Sequence, residues 1–337
     1  MPGAAPVQAA TTTVVCGSLA YDSIMVFKGR FGEHILPGKV HLLNVAFEVP
    51  QLRREFGGCA GNIAYNLSLL GEKPLILASA GSDFGGYRRR IEEWGLDTSL
   101  ISELPDQLTA QAHIITDLDD NQITAFHPGA MNHAHRQRLP AGAGAALGLI
   151  SPDGHQAMLE HSRQMHAAGL PFLFDPGQGL PTFSRDELRE CVRMSSWVAV
   201  NSYEAELLLR NSGWSHDALC SETGAFIVTD GAEGARIHHS GTCEYIPAAK
   251  ARKVADPTGC GDAFRAGLAY GIARGWNWRD TGRLAALLGA IKAESAGTQN
   301  HRFERVRLEA KFKENYGYEI DLGSGIDAAL PEPQGSG

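Results

Sequence analysis

The sequence predicts an α/β protein of three layers, in which helices cover both faces of a mostly parallel central sheet. Short apolar runs, typical of buried strands, alternate with segments of helical period along most of the chain. The 337 residues suffice for one large domain, and the 43% of apolar residues can fill its core. Two early segments, about 34–50 and 110–127, are β-rich and interrupt the alternation. We predict that these two segments form a small separate sheet, a lid.

In the first half of the chain, apolar runs and glycines define the elements. A β-branched run after Thr12 ends at Gly17 and predicts a buried strand, while Gly71 and Gly95 end two segments of helical period. A polar stretch at 117–122 has the composition of a turn between two strands. The predicted elements are a strand at 12–18, a helix at 60–70, a strand at 75–80, a helix at 87–94 and a strand–turn–strand at 109–126.

The second half follows a regular strand–helix rhythm. Such alternation is typical of a parallel sheet covered on both faces. The predicted strands are 172–174, 197–200 and 225–229, and the predicted helices begin after Ser184 and at Tyr203 and span 262–274 and 281–295. We predict a single domain over 13–320 that contains the lid, with disordered tails at 1–12 and 321–337.

Composition excludes several classes of protein. The formal net charge of −8 disfavours a nucleic-acid or acidic-membrane binder, whose surface would be basic. Apolar runs are too short to cross a bilayer, and the first residues lack a basic segment, so we expect a cytoplasmic protein. The six cysteines form no Cys-x-x-Cys pair, so the usual spacing of zinc and redox motifs is absent. We also expect no histidine-based metal site, since the histidines do not group with acids at metal spacing: His133, His135, His155, His161, His166, His238 and His239.

The stretch from Asp256 to Phe264 is the first candidate for chemistry. Gly259 and Gly261 precede a helical segment, so main-chain amides and the positive helix terminus can converge on an anion there. Asp262 stands where it can hold a hydroxyl and accept its proton. An equally good interpretation of Asp262 alone is a helix cap.

Three further motifs are weaker by themselves. Three glycines and Asn62, within 57–62, open a helix and offer hydrogen bonds to vicinal hydroxyls, although an ordinary glycine-rich turn explains them better. Asn201 and Glu204 follow a strand; they fit either an N-cap or a carboxylate that orders water around Mg²⁺. The segment 229–234 fits either phosphate contacts or a hairpin turn.

Taken together and in this order, the four motifs resemble those of the PfkB, or ribokinase-like, family of sugar and nucleoside kinases. Residues 57–62 are similar to its N-terminal signature, 256–264 to its C-terminal signature and 201–204 to its magnesium and phosphate motif. The resemblance covers about residues 13–310. Within the family it is nearest to bacterial adenosine kinases and broad-specificity nucleoside kinases, through the stretches 17–22, 126–131, 175–178 and 297–299.

The resemblance implies a ribokinase-like fold and ATP-dependent phosphorylation of the 5′-hydroxyl of a purine nucleoside, adenosine to AMP, in purine salvage. It also implies Mg²⁺ with ATP, leaves K⁺ open at the turn 256–258, and suggests a homodimer paired through the lid. The implied catalytic residues are Asp262 as base with Gly259, Cys260 and Gly261 as anion hole. The implied substrate residues are Ser18, Asp22, Gly58, Asn62, Phe126 and Gln178. The implied ATP residues are Asn201, Thr229, Gly231 and Gly234, with Glu204 holding Mg²⁺ through water.

One position departs from the pattern of mycobacterial-type adenosine kinases. Those enzymes carry a second aromatic residue on the first lid strand, where this sequence has Ala112. We therefore expect a more open base pocket that also admits inosine and guanosine. The alternatives are a sugar kinase acting on ribose or fructose, and a non-catalytic nucleoside-binding regulatory protein.

Overall fold

The computed structural model describes residues 12–35, 44–119, 121–140 and 144–323, and both predicted tails except Thr12 and 321–323 lie outside this part. The strands are β1 Thr12–Cys16, β2 Ala20–Val26, β3 Gln51–Gly57, β4 Leu75–Gly81, β5 Ile101–Leu104, β6 Ala110–Thr116, β7 Gln122–His127, β8 Ala145–Ile150, β9 Phe172–Phe174, β10 Trp197–Asn201, β11 Ala225–Thr229, β12 Ala235–His239 and β13 Thr242–Ile246. The helices are α1 Phe31–His34, α2 Cys59–Leu69, α3 Gly85–Glu93, α4 His155–Ala167, α5 Arg185–Met194, α6 Ser202–Ser212, α7 His216–Glu222, α8 Cys260–Ala273, α9 Trp278–Ala293 and α10 Arg305–Tyr316.

Within the described residues, a nine-stranded sheet has the order β13-β12-β11-β10-β9-β8-β1-β4-β5. From β5 to β11 neighbouring strands are parallel, and the edge strands β12 and β13 are antiparallel. This confirms the predicted mostly parallel sheet.

Helices cover both faces of this sheet because successive strand side chains point to opposite faces. Val15 and Leu149 pack into a core with α2, α3, α8, α9 and α10. Their neighbours Val14 and Ile150 pack into a second core with α4, α5, α6 and α7. The three predicted layers are therefore present.

The lid sheet consists of β3-β2-β6-β7 in that order. The predicted lid segment 110–127 contributes β6 and β7. The other segment, about 34–50, differs from the prediction: 36–43 lie outside the described residues, and 44–50 contain no strand. Its place is taken by β2 and β3, whose pairing is antiparallel. β3 begins at Gln51, directly after the predicted segment, and β2 precedes it.

Candidate active site

Polar residues of the candidate site gather at the carboxyl ends of the parallel strands. Ser18 follows β1, Asp175 follows β9, Asn201 ends β10 and Thr229 ends β11. Parallel strands end at the same edge of a sheet, so these side chains share one rim. The amino terminus of α8 and the lid sheet complete the cleft.

Asp262 and Asn62 meet in this cleft although 200 residues separate them. The Asn62 Nδ2 atom donates a hydrogen bond of 2.8 Å to the Asp262 Oδ2 atom. Asp262 lies in the first turn of α8, and Asn62 is the fourth residue of α2. The two glycine-rich signatures thus build one site.

Asn62 is held in place from its other end. Its Oδ1 atom accepts a hydrogen bond of 2.9 Å from Gln299 Nε2, which also donates to the Tyr87 hydroxyl at 2.6 Å. The Tyr87 hydroxyl in turn donates to the Gly57 carbonyl at 2.7 Å. Asn62 is only 4% exposed, and both ends of its amide have partners in this structure, Asp262 and Gln299.

The charge state of Asp262 is set mainly by burial. Burial raises its pKa to about 6, the Asn62 hydrogen bond opposes this rise, and the nearby Asp175 carboxylate adds to it. A carboxylate with this pKa is ionised at neutral pH and is still a better proton acceptor than an exposed Asp.

A buried ion pair lies beside Asp262. The Arg265 guanidinium donates to both carboxylate oxygens of Asp175, from Nε at 3.0 Å and from Nη2 at 3.2 Å. Both residues are 4% exposed. The Arg265 charge also acts on Glu204 and Asp262, so one cation offsets three carboxylates at the rim.

The main-chain amides at the start of α8 form only part of the predicted anion hole. Gly259 has a φ of 80° and Gly261 is exposed, and the N–H groups of both have no acceptor among the described residues. The Cys260 N–H differs from the prediction, because it donates to the Pro257 carbonyl at 3.1 Å. Two of the three predicted amides thus have no acceptor among the described residues and are available to an anion.

Ser18 and Gly58 fix the start of α2. The Ser18 hydroxyl and carbonyl oxygens accept the N–H groups of Cys59 and Ala60 at 3.0 and 3.1 Å. Gly58 has a φ of 87°, and a Cβ there would lie 2.6 Å from the Ser18 carbonyl, so only glycine fits. The Ser18 hydroxyl and the Gln178 amide both lie beside the Cys59 thiol.

Strand register places the predicted substrate residues of the lid in one row. Asp22 is paired with Glu55 on β3 and with Ala112 on β6, and Ala112 is paired with Phe126 on β7. Residues directly opposite each other point to the same face. Burial, then the charges of Glu55 and Asp256, raise the pKa of Asp22 to about 6, so this face looks towards the turn before α8.

The row spans the dimensions of a nucleoside. Two strand spacings, roughly 10 Å in total, separate Asp22 from Phe126. The small Ala112 side chain lies between them, and Phe126 is 52% exposed. A carboxylate that accepts hydrogen bonds and an exposed ring therefore face one cleft across a gap.

Asp83 joins the lid sheet to the main domain. Its carboxylate accepts hydrogen bonds from the Thr109 N–H at 2.8 Å, from Gln111 Nε2 at 3.1 Å and from Arg54 Nη2 at 3.3 Å. Its carbonyl accepts from the Tyr21 hydroxyl at 3.0 Å. One residue thus contacts β2, β3 and β6 and joins all three strands to the main domain.

The Asn201–Glu204 motif forms a capping box at the start of α6. The Asn201 Oδ1 atom accepts the Glu204 N–H, and Glu204 Oε2 accepts the Asn201 N–H, both at 2.8 Å. Glu204 Oε1 has no hydrogen-bond partner among the described residues. Burial and then the Asp175 charge raise the pKa of Glu204.

The donor set at this rim fits Mg²⁺. A magnesium ion keeps several waters and needs few carboxylates. Arg265 already occupies both oxygens of Asp175, whereas Glu204 keeps one oxygen. Glu204 is therefore the residue available to hold the ion through water.

The segment after β11 forms the connection of a β-hairpin. Thr229 pairs with Asn201 at the ends of parallel strands, and β12 returns antiparallel to β11. Gly231 and Gly234 have φ of 52° and 90°, and the Asp230 N–H donates to the Gly234 carbonyl at 2.8 Å. Thr229, Gly231 and Gly234 thus lie at the rim near Asn201 but away from Asp262.

A lysine holds the turn in front of α8. Lys292, on α9, is 0% exposed, and its Nζ atom donates to the carbonyls of Asp256 at 2.7 Å and Ser295 at 3.1 Å. The Asp256 carboxylate accepts the N–H groups of Thr258 and Gly297, each at 2.9 Å. An ammonium group therefore already donates to the Asp256 carbonyl, at the turn where the resemblance left a potassium ion open.

Four residues of this site were not among the candidates predicted from the sequence: Arg265, Gln299, Tyr87 and Lys292. The signal for Lys292 was present, because a lysine interrupts the apolar stripe of α9 at a buried position. Gln299 and Asp175 lay in stretches that matched the family, without an assigned function. Tyr87 carried no signal beyond its place in a helix.

A comparison with family models matches residues 19–304 to the pfkB family carbohydrate kinases. A nucleoside kinase of Methanocaldococcus jannaschii is 30% identical over 260 residues, covering 77% of this chain and 85% of that protein. None of the helices in the described part of the chain combines the length and apolar character needed to cross a membrane.

Solved structures agree with this match. The nucleoside kinase of Burkholderia thailandensis in complex with inosine is 47% identical with a TM-score of 0.83, covering 91% of this chain and 99% of that one. The same kinase in complex with ADP-inosine is 49% identical with a TM-score of 0.81, covering 91% and 97%. The predicted ribokinase-like fold is confirmed. With its two signatures joined in one cleft and its model match over most of its length, the chain belongs to the pfkB family of carbohydrate kinases.

Proposed function

We propose that this protein is a nucleoside kinase that transfers the γ-phosphoryl group of ATP to the 5′-hydroxyl of a purine nucleoside. The observation that carries the proposal is the position of Asp262. Its carboxylate is oriented by Asn62 at the amino terminus of α8, and the lid row of Asp22, Ala112 and Phe126 faces the turn that leads into it.

The residues divide the work as follows. Asp22 accepts hydrogen bonds from the ribose 2′- and 3′-hydroxyls, Ser18 and Gln178 contact the substrate near its base, and Phe126 stacks on the base. Asp262 accepts the 5′-hydroxyl proton as that oxygen attacks the γ-phosphorus and ADP leaves. The amides of Gly259 and Gly261 and the α8 terminus stabilise the charge on the moving phosphoryl group. Asn201, Thr229, Gly231 and Gly234 contact ATP.

Mg²⁺ bound with ATP neutralises phosphate charge during transfer. In this chain Glu204 would hold it through water, since it keeps one free carboxylate oxygen beside the site. The Lys292 ammonium group donates to the Asp256 and Ser295 carbonyls, which argues against a potassium ion at the turn 256–258. We therefore propose no monovalent-cation requirement.

The open base pocket favours acceptance of several purine bases. Ala112 stands directly opposite both Asp22 and Phe126 and leaves open the side where a second aromatic ring would lie. We infer that adenosine, inosine and guanosine are all substrates. A relative in complex with inosine supports the inclusion of a 6-oxopurine.

A sugar kinase is the second candidate, and the exposed Phe126 ring on the cleft-facing row argues against it, since ribose or fructose offers no base to stack. A non-catalytic binding protein is disfavoured by the oriented Asp262 carboxylate. Purine salvage and a cytoplasmic location stay predictions.

A coupled ADP-release assay across adenosine, inosine, guanosine, ribose and fructose tests the proposal. We expect turnover with all three nucleosides, at kcat/KM values within about one order of magnitude, and far lower values for the free sugars. A preference for ribose or fructose would overturn the nucleoside assignment. A preference for adenosine over inosine of several orders of magnitude would overturn only the tolerance.

We also propose a homodimer paired through the lid. On the face opposite Phe126, strand register aligns Leu52, Met25, Ile115 and Ile123 in one apolar row, with Leu52 68% and Ile123 41% exposed. Sedimentation should give a dimer, and Leu52→Glu should shift it to monomer. A wild-type chain that sediments as a monomer of 36.2 kDa would contradict the pairing.

A further inference from the structure

Two cysteines and two histidines converge at a place remote from the active site. His216 and Cys220 lie on α7, His238 lies on β12 and Cys243 lies on β13. We call these four side chains the CH cluster. They were not expected to form a site, because they contain no Cys-x-x-Cys pair and His238 does not group with acids.

The local structure of each element brings its pair together. His216 and Cys220 are four residues apart on a helix, so their side chains share one face. His238 and Cys243 are directly opposite each other in the antiparallel pair of β12 and β13. The α7 helix packs against β11, the neighbour of β12, which places the two pairs side by side.

The sulfur–nitrogen distances within each of the two pairs suit a tetrahedral metal ion. The Cys220 Sγ atom lies 3.7 and 3.8 Å from the two His216 ring nitrogens, and the Cys243 Sγ atom lies 3.9 Å from His238 Nε2. A zinc ion with ordinary bond lengths separates sulfur and nitrogen ligands by roughly 3.5–3.6 Å. Each pair is therefore within a few tenths of an ångström of the sulfur–nitrogen separation that zinc requires.

The two pairs also contact each other. The ring centroids of His216 and His238 are 4.4 Å apart at 76°. Ligand atoms of His216, Cys220 and His238 all lie within 4.8 Å of one another. Cys220 and Cys243 are close enough to interact electrostatically, and both thiols are free.

We propose that the CH cluster is a structural zinc site with His216, Cys220, His238 and Cys243 as its four ligands. Two thiolates and two neutral imidazoles are a set that suits Zn²⁺. Binding forms two Zn–S and two Zn–N bonds and releases the two thiol protons to solvent, so the bound site is neutral.

The position of the CH cluster assigns it to stability rather than to catalysis. His238 pairs with Phe226 near the amino end of β11, whereas Thr229 at the other end borders the active site. The ion would join α7 to the hairpin β12–β13, at the outer edge of the nine-stranded sheet. Removing it should lower the unfolding temperature and leave kcat with excess Mg²⁺ unchanged.

Metal titration of the full chain tests the site. The chain is stripped with a chelator, dialysed, and titrated with Co²⁺ and then Zn²⁺. We expect one ion per chain, a thiolate-to-cobalt charge-transfer band with the intense visible bands of tetrahedral Co²⁺, and displacement of Co²⁺ by Zn²⁺. Zinc should also raise the unfolding temperature. A spectrum of six-coordinate Co²⁺ without the thiolate band would overturn the proposal.

Variants assign the ligands. Cys220→Ser and Cys243→Ser should weaken Zn²⁺ binding by more than the roughly 10–100-fold that loss of an outer-shell partner costs. His239→Gln, the neighbour of His238 on the same strand, is the matched control and should bind as the wild type does. The metal-free variants should unfold at the temperature of the metal-free wild type, which separates ligand loss from misfolding. Equal loss of binding in His239→Gln, or none in either cysteine variant, would overturn the assignment. None of these measurements depends on the proposed kinase activity.

Discussion

Asp262 shows at the scale of single residues how a carboxylate becomes a base at neutral pH. Partial burial raises its pKa, yet Asn62 donates to it and Arg265 lies close by, so the rise stops at about 6. The same carboxylate at an exposed cap would keep a pKa near 3.8. The site thus gains basicity and remains ionised.

The pH dependence of the reaction should report this group. Asp262 must be ionised to accept a proton, so kcat/KM for the nucleoside should be half-maximal near pH 6, level off about one pH unit above that and fall below it. Asp22, whose pKa is also raised to about 6, should steepen that fall. Measurement of kcat/KM across the acid range checks this, and a profile that stays flat well below the pKa would contradict the assigned base.

The Asp175–Arg265 pair should be costly to break. Arg265→Met leaves a buried carboxylate unpaired, which costs about 3–5 kcal/mol of unfolding free energy. It should also move the acid limb to higher pH, because the Arg265 charge lowers the pKa of Asp262. Urea unfolding and a pH profile give the two readouts.

The double variant Asp175→Leu with Arg265→Met is the control for that measurement. It removes both charges, so much of the lost stability should return. Equal destabilisation by the single and double variants would mean that the pair contributes packing only.

At the scale of elements, the turn before α8 depends on a residue of another helix. The Lys292 ammonium group on α9 binds the Asp256 carbonyl, so α9 fixes the loop that presents the Gly259 and Gly261 amides. A charge buried at 0% exposure is retained only with hydrogen-bond partners, and here these are backbone carbonyls.

Replacement of Lys292 should create a cation requirement. Wild-type activity is expected to be the same in K⁺ and in Na⁺, whereas Lys292→Met should lose kcat and regain part of it in K⁺ or NH₄⁺, which bind carbonyl oxygens in the same way. Lys311→Met is the control, since Lys311 pairs with Glu294 near the surface at 2.8 Å. A wild-type enzyme that is strongly activated by K⁺ would refute this role for Lys292.

Phe126 on the lid strand β7 should contribute to the affinity for the nucleoside but not to that for ATP. Stacking of an aromatic ring on a base is worth about 1–3 kcal/mol, so Phe126→Ala should raise KM for nucleosides by roughly 10–100-fold. KM for ATP should not change. Ile123→Ala, on the opposite face of the same strand, should leave KM for nucleosides unchanged. An equal rise of KM in the two variants would contradict stacking by Phe126.

At the scale of the whole molecule, local sequence patterns predicted the secondary-structure elements better than the contacts between them. Helical spacing and β-branched runs located α2, β9 and β11, because periodicity records which face each residue buries. Asn62 and Asp262 could be assigned to two motifs, but only the topology brings them to 2.8 Å. The edge strands β12 and β13 were missed, since the glycines after Thr229 suggest a phosphate loop as readily as a hairpin.

The same reasoning explains why Lys292 and the CH cluster were not predicted. Each joins segments that are distant in sequence and carry no recognisable spacing: Lys292 contacts a turn 36 residues away, and α7 meets a hairpin two elements later. Such contacts depend on strand order, which spacing within a segment does not encode.

The central claim is that Asp262 is the base of a nucleoside kinase, and Asp262→Asn tests it most directly. The neutral variant should lose about 10²–10⁴-fold in kcat while its nucleoside Kd, measured by calorimetry, stays near the wild-type value. It should be no less stable at pH 7, and by up to about 3 kcal/mol more stable, because a pKa raised from 3.8 to about 6 makes the ionised form unfavourable in the folded state above that pH. Unchanged kcat in a folded variant that binds nucleoside normally would contradict the claim.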